Sequence, residues 1–142
     1  MGKIKFLFLL TAIVIIVDHA LKYFAKSSLA PSFLKYTVNT GAAFSLLSGL
    51  GFTKILLICV SIIILLVVGF FYFKHHKSFL LTIALILIFA GTLSNLIDRV
   101  FLGHVIDYIP VPFLGIKGLT FNLADVANIS GVVLLIIHLI KR

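Results

Sequence analysis

The 142-residue sequence predicts an all-α membrane protein with four transmembrane helices and a small extracytoplasmic loop between helices 1 and 2, on three observations. The composition is 62% hydrophobic and 11% charged with a mean hydropathy of +1.29, whereas soluble domains are roughly one-quarter charged. A soluble core of this size has no room for so much apolar surface, so the apolar runs need lipid as their solvent. Four such runs stand out, at about Phe6 to Ala25, Ile55 to Phe73, Phe79 to Val100 and Leu123 to Ile140. Each fits the about 20 residues, with about 17 to 25 tolerated, that a helix needs to cross the hydrocarbon. Lys and Arg gather at the ends of the runs, where they anchor a helix and set its topology.

The connections order the helices within a single domain spanning residues 1–142. Lys74-His75-His76-Lys77 is a tight basic turn, whereas residues 26–54 and 101–121 are longer and carry Gly, Pro, Ser and Thr. The two longer segments therefore lie together on the other side. One side holds Lys3, Lys5, Lys74, Lys77, Lys141 and Arg142; the other holds Lys22, Lys26, Lys35, Lys54, Arg99 and Lys117. The counts tie, but the first set sits in much shorter segments, and charge density puts both termini in the cytoplasm. An alternative reads the N-terminus as a cleavable signal peptide, because Met1 to Lys5 is basic and Phe6 to Val17 is a suitable apolar core. Against it, no small-residue cleavage motif follows, and the run carries Asp18 and Lys22 at helical spacing.

The formal charge of +8 would point to nucleic acid in a soluble protein; here membrane anchoring accounts for it, and no nucleic-acid partner is expected. Cys59 is the only cysteine and lies inside an apolar run, which excludes an intramolecular disulfide and leaves a packing role. His75 and His76 flank the basic turn and read as solvated, and His138 is remote from the acids. His104 is nearer to them but has no second close His or Cys, so neither a metal nor a cofactor is expected. No Ser sits in a nucleophile motif with a base. The Phe and Tyr residues read as packing or lipid-facing side chains.

The acid inventory carries the most information. There is no Glu, and the carboxylates are Asp18, Asp98, Asp107 and Asp125. In the expected topology Asp18 ends the first helix, Asp98 ends the third, Asp125 begins the fourth and Asp107 lies between the last two, so all four meet at the outer face. A carboxylate in a membrane segment costs about 2.5–3.5 kcal/mol at the helix centre and less toward the ends, which makes it a functional candidate. Interfacial solvation or glue between helices explains one such residue more readily than four converging.

The four are not equivalent. Asp18 has Lys22 at i,i+4 and Asp98 has Arg99 beside it, so each has a cation to pair with; Asp107 and Asp125 have none nearby. Two carboxylates in a dry site cannot both ionise cheaply, so one keeps a proton that the pair shares. That is the electrostatic requirement of an aspartic protease, in which one carboxylate draws a proton from water and the other protonates the scissile carbonyl oxygen. Asn122, Asp125 and Asn128 recur at i,i+3 on the fourth helix, and Gly91, Asn95 and Asp98 form a matching stripe on the third. The stripes should face each other, with Asn95 and Asn122 serving the site and Asn128 acting as interhelical glue.

Five segments in order resemble lipoprotein signal peptidases, the signal peptidase II family. Asp18-His19-Ala20-Leu21-Lys22 is similar to that family's Asp-x-x-x-Lys. Asn39-Thr40-Gly41-Ala42-Ala43-Phe44-Ser45 is similar to its Asn-x-Gly-Ala-Ala-aromatic-small loop. Asn95-Leu96-Ile97-Asp98-Arg99 and Gly103-His104-Val105-Ile106-Asp107-Tyr108 match its Asn-x-x-Asp-Arg and Gly-x-Val-x-Asp-aromatic segments, and Phe121-Asn122-Leu123-Ala124-Asp125 resembles its Phe-Asn-x-Ala-Asp. Three positions depart from the pattern: Ala90 and Ser94 stand where Gly is commoner, and His19 where Gln is frequent.

The resemblance implies that Asp107 and Asp125 are the catalytic pair. It also implies that Asp18, Lys22, Asn39, Gly41, Asn95, Asp98, Arg99 and Asn122 hold the site or the substrate. The implied substrate is a diacylglyceryl-modified prolipoprotein in the bacterial cytoplasmic membrane, cleaved before its lipidated Cys near the outer face without a cofactor. Membrane lipid and a monomeric state are the implied surroundings. The loop from Ala30 to Gly51, with Gly41, Gly49 and Gly51, is expected to form a mobile, β-like cradle over the substrate. The competing function is a small proton- or cation-coupled transporter, since buried Asp residues also mark ion pathways. A transporter should place acids at mid-membrane or on both sides, whereas these gather at one boundary.

Overall fold

The computed structural model describes residues 3–41, 52–75, 78–111 and 119–141. Ala42 to Ser45, Gly49, Gly51, His76, Lys77, Lys117 and Arg142 lie outside them, as do the second part of the expected cradle (residues 42–51) and the side chain of His75. Four helices, α1 (Lys3–Lys26), α2 (Thr53–His75), α3 (Phe79–Phe101) and α4 (Leu123–Ile140), are long and apolar enough to cross a membrane. They extend the expected spans by at most three residues at an end. The extensions take in Lys5, Lys26, Lys54 and Lys74, a residue type that can lay its apolar stem along a helix while its ammonium reaches the interface.

α3 is the axis of the bundle. Half of its span is buried, against 17% in each of the other helices, because α1, α2 and α4 all pack on it. Contacts fix the directions: Asp18 meets Ser94 and Lys22 meets Asp98, so α1 runs parallel to α3. Gly91 faces Ala124 and Asn128 while Gly131 faces Ala84 and Ile88, so α4 runs against it. Small residues make the α3–α4 seam, with Ala84 and Gly91 on one side and Ala124 and Gly131 on the other. Lipid tails are as apolar as Leu, so close backbone packing of this kind holds membrane helices together. Ala90 is fully buried, and Thr92 Oγ1 donates to Asn128 Oδ1 at 3.2 Å across the seam, as expected of a structural Asn128.

At the end of the bundle that carries the acids, short strands replace loops. β1 (Thr37–Asn39), from the α1–α2 connection, pairs antiparallel with β2 (Val105–Asp107), setting Thr37 opposite Asp107 and Asn39 opposite Val105. β3 (Ile109–Pro110) pairs with β4 (Thr120–Phe121). The β structure is therefore shared: three of the four described strands belong to the α3–α4 connection rather than to the expected cradle. α3 ends at Leu102, and Gly103 follows at φ 83°, the left-handed conformation that lets a glycine turn the chain out of a helix. That turn brings β2 back over the bundle end.

Cys59 does not have the expected packing role, because it is exposed on the lipid-facing side of α2. α2 contacts chiefly α3, so most of its circumference is left to lipid.

A Cβ on Gly91 would collide with the Ala124 carbonyl oxygen, which is backbone and cannot give way, and would lie 2.8 Å from Asn128 Cγ. Gly91→Ala should therefore cost at least about 1–3 kcal/mol of stability, the usual penalty of overpacking, measured as a lower melting temperature in detergent. Gly69→Ala, where no atom lies within 4 Å, should leave the melting temperature unchanged; equal effects from the two would refute the seam assignment.

Candidate active site

The four carboxylates converge and divide into two unlike pairs. Asp18, eight residues before the end of α1, is the deepest, about 12 Å along the helix from its last residue at 1.5 Å per residue. Lys22, one turn further on, places Nζ 2.6 Å from Asp18 Oδ2 and 2.8 Å from Asp98 Oδ2, and all three side chains are at most 2% exposed. The lysine thus joins α1 to α3. Breaking a buried pair of this kind by removing one partner costs about 3–5 kcal/mol, because the other charge stays behind uncompensated.

Further donors reach this half of the site. Asp18 accepts from Ser94 Oγ at 2.7 Å, Tyr108 OH at 3.2 Å and the Ala124 amide at 3.3 Å. Asp98 accepts from the Ile106 amide at 3.3 Å, and its Oδ1 lies 3.6 Å from His19 Nδ1. Ser94 and His19, two of the departures from the family pattern, are thus both turned toward these carboxylates. The expected pairing of Asp98 with Arg99 is not what forms. Adjacent residues on a helix point about 100° apart, so Asp98 turns to Lys22 while Arg99 stays half-buried and donates Nη1 to the Asn95 carbonyl at 3.3 Å. Arg99's charge acts on Asp125 first, then on Asp107 and Asp98.

The second half is held by amides. Asn122, fully buried at the start of α4, donates Nδ2 to Asp107 Oδ1 at 2.8 Å, Asn95 Oδ1 at 3.1 Å and the Ile106 carbonyl at 3.2 Å. The same residue caps the helix: its Oδ1 accepts from the Asp125 amide at 2.8 Å and its own amide donates to Asp125 Oδ2 at 3.2 Å. This reciprocal capping box satisfies two helix-end donors and brings Asp125 to the same asparagine that holds Asp107. Asn95 completes the frame by donating Nδ2 to Asp125 Oδ1 at 2.8 Å while its Oδ1 accepts from Lys22 at 3.4 Å. On the other side Asn39 donates Nδ2 to Asp107 Oδ2 at 3.0 Å, and the Gly41 amide holds Asn39 Oδ1 at 3.0 Å. Every site residue expected from the sequence is thus in one connected network.

Asp107 is 2% exposed, whereas Asp125 is half-buried and nearer to solvent. Burial pushes the Asp107 carboxyl up and the Asp125 charge adds to it; donation from Asn39 and Asn122, and the more distant Lys22, oppose the rise, leaving it at about 7. A carboxyl at that value can hold or release a proton near neutrality, as acid–base chemistry requires. Among the described residues no group of three His, Cys, Asp or Glu side chains could hold a metal ion.

Sequence reasoning gave Tyr108 no role. It is 1% exposed, donates to Asp18 and accepts from the Leu123 amide at 3.0 Å, so its hydroxyl links α1 to the start of α4. Burial first, then the neighbouring Asp18 charge, raises its phenol well above the usual range and keeps it a donor. An aromatic directly after an acid was the available signal. Tyr108→Phe should strand two buried groups and lower stability by about 1–3 kcal/mol, read from thermal unfolding in detergent; a shift indistinguishable from zero would refute this linking role.

Comparison with known proteins bears on the same residues. The model of the family described as signal peptidase (SPase) II matches residues 10–141. The lipoprotein signal peptidase of Staphylococcus aureus strain MRSA252 is 35% identical, covering 94% of this chain and 86% of the relative. That of strain Newman is 34% identical over the same shares. Two solved structures of a bacterial membrane enzyme superpose with TM-scores of 0.84 and 0.82 at 34% identity, each covering 97% of this chain and respectively 89% and 94% of the other. These similarities leave the transporter alternative without support. The chain belongs to the signal peptidase II family of membrane peptidases.

Proposed function

We propose that this chain is an aspartic endopeptidase that removes the signal peptide from diacylglyceryl-modified prolipoproteins, cutting before the lipidated Cys. One observation carries the reading: Asp107 and Asp125 share Asn122, while the one lysine buried with the acids, among the described residues, is ion-paired to Asp18 and Asp98. The first pair is left to hold a proton between them.

Roles follow from the surroundings of each acid. Asp107, buried and raised to about 7, holds the proton and acts as general acid toward the scissile carbonyl oxygen. Asp125 sits in the first turn of α4 with a backbone amide on Oδ2 and the Asn95 amide on Oδ1. The helix N-terminus favours negative charge there, and the partial exposure of this side chain lets water reach it. Asp125 therefore acts as general base and draws the proton from the attacking water. The water oxygen forms the new bond to the carbonyl carbon as the carbonyl oxygen takes the Asp107 proton. Collapse of the tetrahedral intermediate then returns that proton to Asp107 and breaks the C–N bond, while Asp125 passes the proton it took from water to the leaving amine. Arg99, Asn95, Asn122 and Asn39 hold the two carboxyls in register. Leu29, Phe33 and Phe101 are 70–81% exposed at this end of the bundle and offer an apolar rim for the substrate's lipid chains.

Two of the six cations counted on the acid side, Lys22 and Arg99, are drawn into the site. The solvated basic residues are then denser at the opposite end, which supports cytoplasmic termini and a site near the outer face.

Asp107→Asn and Asp125→Asn should each lower cleavage of a diacylglyceryl-modified peptide by at least about 10²–10⁴-fold with the melting temperature retained; turnover surviving in both would refute the dyad. Since the acid must be protonated, cleavage should fall as pH rises through about 7. Asn39 stabilises the charged form of Asp107, so Asn39→Ala should move that alkaline limb to higher pH. A limb that moves lower, or stays in place, would contradict the assignment of Asp107 as the acid.

A further inference from the structure

At the end of the bundle opposite the acids, a cavity of about 720 Å³ opens between α2 and α4 across the face of α3, within the roughly 300–1,000 Å³ of small-molecule sites. Its walls are apolar, with Val67 and Phe71 from α2, Leu85 and Ile88 from α3 and Leu135 from α4. Its polar groups are Lys74 at the end of α2, Ser78 before α3 and His138 in the last turn of α4, all near one membrane boundary. Ser78 Oγ lies 3.3 Å from His138 Nδ1. Lys74 is exposed, with Nζ 5.3 Å from the centroid of the Phe70 ring.

The geometry points to a binding site for one anionic phospholipid of the leaflet opposite the acid site, its acyl chain in the cavity and its phosphate on Lys74, Ser78 and His138. Charge selects the occupant. All four side-chain carboxylates of the sequence are in the network at the other end, so no acidic side chain competes for Lys74. Juxtamembrane lysines attract anionic headgroups. A substrate's signal peptide would bring its basic n-region against the same lysine, and a symmetric second copy would set Lys74 near its own image. Because α2 packs chiefly on α3, a lipid here also fills the gap that separates α2 from α4.

The test uses the full chain, delipidated in detergent and titrated with phosphatidylglycerol or with phosphatidylcholine of the same chains, with bound lipid counted by native mass spectrometry. Wild type should take up one phosphatidylglycerol about fivefold more tightly than phosphatidylcholine, the scale of one lysine near an anionic surface. Lys74→Gln, an exposed position that leaves folding intact, should abolish the difference. Val67→Trp, which fills the cavity from a half-exposed site, should block both lipids with the melting temperature of the lipid-free protein retained. Equal affinity of the two lipids for wild type, or a preference that survives Lys74→Gln, would overturn the site. So would displacement of the lipid by an uncleavable substrate peptide, or a dimer that Val67→Trp dissociates.

Discussion

One buried ammonium among four clustered carboxylates sets the character of this molecule. Lys22 lies within 3 Å of Asp18 and Asp98 and reaches neither Asp107 nor Asp125 at that range. Because charge in a low-dielectric site must be compensated or neutralised, the lysine divides the acids into a salt-bridged pair and a pair held by hydrogen bonds from asparagine amides. The first pair binds α1 to α3. The second is left free to change its protonation, which a salt-bridged acid could do only at the cost of its partner.

The amides convert this division into geometry. Asn95 touches Lys22 on one side and Asp125 on the other, and Asn122 joins Asn95 to Asp107 while capping α4. The position of the reactive pair is therefore tied through two asparagines to the structural ion pair, and through the Gly91 seam to the closeness of α3 and α4. The same short segment that supplies Asp107 is pinned by β1, so Asn39 arrives from the α1–α2 connection to hold its outer oxygen. Lipid solvates most of the molecule; the polar network at one end gives it chemistry.

Much of this was legible in the sequence, because hydrocarbon thickness fixes helix length and the cost of burying charge makes every intramembrane acid conspicuous. The Gly91–Asn95–Asp98 stripe and its partner on α4 were visible as i,i+3 spacings, and they do meet. What was not legible depended on direction in space. The proximity of Arg99 to Asp98 along the chain concealed that Lys22 reaches across from another helix. Its place directly after Asp107 marked Tyr108 but not its partners, which lie on α1 and at the start of α4, 90 and 15 residues away. The pairing of β1 with β2 was hidden for the same reason: three-residue strands carry too little alternation to declare a partner 68 residues distant.

The proton between Asp107 and Asp125 is the claim on which the mechanism turns, and infrared titration of the protonated-carboxyl C=O stretch observes it directly. The account predicts a band that disappears as pH rises through about 7, is missing in Asp107→Asn, and titrates at lower pH in Asp125→Asn, where the neighbouring negative charge is gone. A band near that pH that ignores both replacements and vanishes instead with Asp18→Asn or Asp98→Asn would contradict it.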